Sequence, residues 1–65
     1  MNIATALQYV STLSEDRKKD LIGCHIKGTL TAEDRAELRE HLLKALDRME
    51  EEKETAKALI DALKQ

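Results

Sequence analysis

Cys24, His25 and His41 are the side chains of this chain best suited to a transition metal, and Glu37 lies four residues before His41. A structural zinc site needs four ligands, with thiol pairs two to four residues apart. One cysteine and two scattered histidines do not meet that requirement, and Cys24 and His25 point to different faces of any helix that holds both. Two-metal carboxylate–histidine bundles use Glu-x-x-His, one residue shorter than the Glu37–His41 spacing. The i,i+4 spacing suits an ordinary surface pair instead. No metal and no other cofactor is expected. Cys24 keeps helical phase with Leu21 and reads as a small apolar core residue, whereas His25 and His41 read as partly exposed polar residues.

Ser11, Thr12 and Ser14 are hydroxyls that a histidine such as His25 could activate. Nucleophilic catalysis also needs a third group to orient the base, and often a glycine-framed turn to present the nucleophile. Neither is legible, and Ser14 is explained by helix capping. The reading is not an enzyme. Arg17-Lys18-Lys19 is the one basic cluster. It could make polar contacts to phosphate or to an acidic partner, but a solvated helix face accounts for it.

The elements that would position these residues are helices. Ile3, Ala6, Leu7, Val10 and Leu13 recur at spacings of three and four, with Asn2 as an N-cap, which gives a first helix over about 3–13. A phrase then occurs twice. Leu13-Ser14-Glu15-Asp16-Arg17 leads to Leu21, and Leu30-Thr31-Ala32-Glu33-Asp34-Arg35 leads to Leu38. In each, a hydroxyl residue can cap orphan N–H groups, and acids in the first turn suit the positive helix end. A second helix is expected over about 15–27, closed by Gly28 in the left-handed conformation. Alternatively, residues 3–27 form one helix, because the apolar phase carries through.

From the cap Thr31 to about Lys64 nothing breaks the helical pattern: there is no Gly, no Pro and almost no β-branched residue. A third helix over 32–64 would be about 50 Å long, while a folded chain of this size is only about 28 Å across. Its apolar face has a central column of Leu42, Met49, Ala56 and Leu63, flanked by Leu38, Ala45 and Leu59 on one side and by Leu46 and Ile60 on the other. Such a seven-residue repeat makes a coiled-coil or bundle seam. Glu50–Glu54 interrupts it as a charged waist, supported by Glu50–Lys53 and Glu54–Lys57 pairs. The preceding arm, at most about 37 Å long, would cover the Leu38–Met49 patch and leave Ala56–Leu63 overhanging.

Composition agrees with an all-α chain. Of 65 residues, 37% are charged, Tyr9 is the sole aromatic, and Phe, Trp and Pro are absent; long helices and coiled coils have this make-up. Chains this short are marginal alone and are stapled by disulfides, metal or oligomerisation. A lone cysteine excludes an internal disulfide, so oligomerisation remains. There is no run of about 18 apolar residues for a membrane span and no basic-then-apolar leader at Met1–Val10; a cytoplasmic location is expected. Net charge is −2, with four basic against three acidic residues in 1–27 and seven against ten in 28–65. Nucleic-acid binders show a basic patch or a high pI. A helix-turn-helix reading of the second and third helices would place Glu33, Asp34 and Glu37 against phosphates. Nucleic acid is not an expected partner on these grounds.

The expectation is a single helical domain over 1–65: a helical hairpin, its first arm bent or straight, assembled as a homodimeric bundle or coiled coil. Its interface to a second copy or another protein would use Leu38, Leu42, Leu46, Met49, Ala56, Leu59, Ile60 and Leu63. The expected function is a non-enzymatic interaction protein that binds and inhibits or sequesters a regulator or enzyme. In size and composition the chain resembles the small helical inhibitors and antirepressors carried by phages and mobile elements. The alternatives are a purely structural dimerisation module, or a small helical-bundle regulator of nucleic acid, similar in hairpin architecture to plasmid RNA-modulating bundles.

Overall fold

Four α-helices and one 3-10 turn make up the computed structural model, which describes residues 3–64. They are α1 (Ile3–Leu7), α2 (Glu15–Lys27), α3 (Ala32–Ala45), the turn Leu46–Arg48, and α4 (Lys53–Leu63). No strand occurs among the described residues. The Asn2 cap lies outside them.

The first helix is shorter than its apolar spacing suggests. It ends at Leu7 rather than near Leu13, and the chain leaves through i→i+3 bonds from Gln8, Tyr9 and Val10 to Thr5, Ala6 and Leu7. Tyr9-Val10-Ser11-Thr12 is a run of aromatic, β-branched and hydroxyl residues that favours helix poorly. The chain therefore bends before Ser14. Ser14 is extended (φ −68°, ψ 158°) and its Oγ accepts the Arg17 N–H.

Both helix-start phrases form as their residues dictate. Thr31 Oγ1 accepts the Asp34 N–H at 3.0 Å while Asp34 Oδ2 accepts the Thr31 N–H at 3.3 Å, a reciprocal capping box. At the end of α2, Gly28 takes φ +72°. Its N–H bonds to the His25 carbonyl and the Thr29 N–H to the Cys24 carbonyl, the paired 5→2 and 6→1 bonds of a Schellman stop.

The single rod expected over 32–64 does not form. α3 tightens into the 3-10 turn at Leu46, Met49 leaves helical geometry (φ −103°, ψ 81°), and the chain turns through Glu50–Glu52 to send α4 back along α3. The longest dimension of the molecule is 29 Å, too short for the rod. Energetics in a single chain favour the turn. Breaking the helix gives up a few backbone bonds, each worth about 1 kcal/mol net once water replaces them. Folding back buries Ala56, Ile60 and Leu63, and each large apolar side chain gains about 1.5–3 kcal/mol. Glu50 and Glu51 remain exposed at the turn, so the charged waist is a corner.

One core results. Ile3, Ala6, Leu7 and Val10, Leu21 of α2, Leu38, Leu42 and Ala45 of α3, Met49, and Ala56, Ile60 and Leu63 of α4 are all buried together. Tyr9, Leu13, Ile22, Leu30, Leu46 and Leu59 pack against its edge.

Candidate protein-docking surface

The apolar column expected to meet a partner lies inside this monomer. Leu38, Leu42, Met49, Ala56, Ile60 and Leu63 are core residues, and Leu46 and Leu59 are half-buried. The overhanging patch is closed by the turn at Met49, so the length mismatch that implied a dimer is removed. The exposed apolar surface lies elsewhere. Ile26 is 78% exposed and Leu43 50%.

Ile26 follows Ile22 by one turn of α2, so the two form a ridge on one helix face. Ile22 lines a groove of about 370 Å³ with Ala4, Leu7, Gln8, Glu15, Lys18 and Lys19. His25 lines a second groove, of about 300 Å³, with Gly28, Leu30, Arg35, Leu59, Ala62 and Leu63. Arg35 Nη1 donates to the Leu30 carbonyl at 3.3 Å, holding the wall between α2 and α3 in place. α2 thus carries an apolar ridge with a groove reached from each of two neighbouring positions.

The basic cluster divides three ways. Arg17 is consumed internally. Its Nη2 meets Glu37 Oε1 at 2.7 Å and Asp34 Oδ1 at 3.0 Å, its Nε meets Glu37 Oε2 at 3.2 Å, and its Nη1 meets Asp20 Oδ2 at 2.8 Å. These bonds hold its pKa above the usual arginine value, Glu37 first and Asp34 next. Lys18 is tied to Glu15 at 3.2 Å, its side chain only 12% exposed, so its stem covers apolar surface while the ammonium reaches out. Lys19 is exposed. Neither Lys19 nor Lys27 has an ion pair among the described residues. Two unneutralised cations therefore flank the Ile22–Ile26 ridge.

The residues weighed for chemistry come together differently from their sequence spacing. Thr12 Oγ1 bonds Nδ1 of His41, not a nitrogen of His25. Arg48 bonds Ser11 Oγ. These four, with Tyr9, Lys44 and Ala45, surround a cleft of about 50 Å³, far below the roughly 300–1,000 Å³ of small-molecule sites. Glu37, one turn before His41, could orient it, but its two oxygens are held by Arg17. The expected Glu37–His41 surface pair gives way to the Arg17 network, which lowers the Glu37 pKa, with a smaller contribution from His41. The hydroxyls instead pin the α1–α2 connection to α3 and its 3-10 turn. Sequence reading missed both contacts because their partners lie 29 and 37 positions apart.

Cys24 is a free, half-buried thiol rather than a core residue. Among the described residues no three His, Cys, Asp or Glu side chains converge as a metal site, and no helix is long and apolar enough to cross a membrane. Glu54 and Lys57 pair at 3.5 Å on α4. No family model matches the chain, and neither a curated protein nor a solved structure matches it.

Proposed function

We propose that this chain is a non-enzymatic interaction protein that docks an acidic-flanked amphipathic helix of another protein on α2, and so blocks or sequesters that protein. The observation that carries the reading is Ile26, 78% exposed in the last turn of a helix whose other outward positions are mostly polar. Leaving an isoleucine in water forgoes about 1.5–3 kcal/mol of burial, and a contiguous apolar ridge beside grooves is the usual mark of a binding surface. Helix-in-groove recognition uses anchors at i, i+3 and i+4; Ile22 and Ile26 have that spacing and the flanking grooves can take the partner's anchors. Lys19 and Lys27 favour a partner with acidic residues beside its apolar stripe. Leu43 stands apart on α3 as a single exposed apolar residue, which is ordinary.

The test is capture from the native host by the wild-type chain and by Ile26→Gln, identification by mass spectrometry, and reconstitution with the purified partner. The reading requires a protein whose reconstituted affinity falls at least tenfold, about 1.4 kcal/mol, in Ile26→Gln while the variant keeps its helical circular dichroism. A partner held equally well by Ile26→Gln defeats it. So does tight capture of nucleic acid with a steep salt dependence.

A further inference from the structure

We infer that the corner at Leu46–Glu52 is a hinge, and that this chain forms a domain-swapped dimer in which α3 and α4 straighten into one helix and each α4 seats on the α3 of a second copy. Three observations converge on the corner. First, its sequence is poor in turn chemistry, with Asp47 its one turn-favouring residue. Leu46-Asp47-Arg48-Met49-Glu50-Glu51-Glu52 holds no Gly, Pro, Asn, Ser or Thr, and no residue there has positive φ. Six of the seven are good helix formers; of the types that tight turns favour, only Asp47 is present. By contrast, the α2–α3 connection has its left-handed glycine and its capping box.

Second, the closed corner is only partly satisfied. α4 begins without a side-chain cap at Glu52; the Tyr9 hydroxyl reaches the Glu52 carboxylate, but its buried Oε2 has no hydrogen-bond partner among the described residues. Buried polar atoms in native folds are nearly always paired.

Third, the buried residues keep one helical phase across the break. On a straight helix at about 100° per residue, the buried residues of α3 (Leu38, Leu42, Ala45), Met49, and those of α4 (Ala56, Ile60, Leu63) fall within an arc of about 60°. Two helices joined only by a fold-back have no need of a shared phase. A straightened helix presents that same stripe to a second copy, so the α3–α4 contacts of the monomer are remade between chains while the helix regains its missing bonds. Exchange of an identical element is a low-cost route to a twofold dimer, and hinges are where it starts. The occupant of the α3 face is therefore a second α4. Ile22 and Ile26 take no part, so this inference and the docking reading fail independently.

The experiment places spin labels at the exposed positions Ala36→Cys and Asp61→Cys in a Cys24→Ala background, diluted into unlabelled chain so that only intrachain distances are read. Sedimentation over a concentration series gives the oligomeric state. In the closed monomer Arg35 and Ala62 line one groove, so the labels are close. In the swapped dimer they are 25 residues apart on one helix, roughly 37 Å. The expected result is a concentration-dependent dimer that carries the long distance. Glu50→Gly with Glu51→Gly should weaken it on the order of a hundredfold, since four glycines per dimer disfavour the straight helix. Glu50→Ala with Glu51→Ala should leave it equal or tighter. A chain that stays monomeric at every concentration, including the alanine pair, overturns the inference. A dimer whose intrachain labels stay close overturns it equally.

Discussion

Arg17 and Glu37, twenty residues apart, meet through two parallel bonds, Nη2–Oε1 at 2.7 Å and Nε–Oε2 at 3.2 Å, joining the first turn of α2 to the second turn of α3. The same guanidinium also holds Asp34 and Asp20. One cation thus screens three carboxylates from one another, and two-point geometry of this kind is the strong form of a surface ion pair. Arg17→Met should lower the thermal midpoint more than Glu37→Gln does, because it leaves three anions facing each other. The double variant should recover part of the loss. A double-mutant cycle by thermal denaturation at low and high salt measures the coupling, and an additive cycle contradicts it.

The same network sets an acid limit. Asp34 is held below its ordinary 3.8, first by the Thr31 backbone N–H and then by Arg17, and Glu37 is held below 4.5 by Arg17. Folded-state values below the unfolded ones mean stability that is complete above the unfolded range and lost as pH falls through the folded values. The thermal midpoint should therefore decline from about pH 4.5 downward, and less steeply in Arg17→Met. A midpoint that rises with acid would contradict the assignment.

Tyr9 offers an optical check on the other end of the molecule. The negative charge of Glu52 is the main cause of its raised pKa, followed by burial and the hydrogen bond to Glu52. With one tyrosine and no tryptophan, its ionisation can be followed by absorbance alone. The midpoint should lie above 10.0 and move back toward it in Glu52→Gln. Because the folded value is the higher one, the associated stability holds below pH 10 and is lost as pH rises through the folded value. An unchanged midpoint in Glu52→Gln would place Glu52 away from the phenol.

The two glycines should respond with opposite signs. Gly28 has φ +72°, where an added Cβ costs about 1–2 kcal/mol. Gly23 lies within α2, and nothing stands within 4 Å of an added Cβ; alanine there should stabilise by about 1 kcal/mol. Urea denaturation of Gly28→Ala and Gly23→Ala reads both. Equal effects would mean that α2 does not end as described.

Surface and core substitutions should separate just as clearly. Ile26→Gln should change stability by no more than about 0.5 kcal/mol. Leu42→Ala, at a fully buried position, should cost about 2–5 kcal/mol. That is comparable to the whole stability of a domain this small, about 3–5 kcal/mol, so the variant should be largely unfolded by circular dichroism.

Local chemistry was the legible part of the sequence. Ser14, Thr31 and Gly28 act through neighbours a few residues away, and each sits where its side chain or its missing side chain requires. The buried stripe from Leu38 to Leu63 was also legible as a stripe, since burial follows phase. The corner at Met49 was not. Only Asp47 there favours a turn; the break is imposed by α4 finding cover on α3, a contact between distant positions that propensity does not register. The candidate surface was misplaced for the same reason. With α4 folded inward, the column from Leu38 to Leu63 became core, and the exposed ridge passed to Ile22 and Ile26, which the periodic reading had left unremarked.

The core takes Ile3, Ala6 and Leu7 from one end of this stretch and Ala56, Ile60 and Leu63 from the other. A ribosome making it must deliver α4 before the buried stripe of α3 has its full cover. Early segments emerge as short helices without a finished interior. Until then the stripe on α3 is open to whatever apolar surface is nearest, including the same stretch on a neighbouring nascent chain.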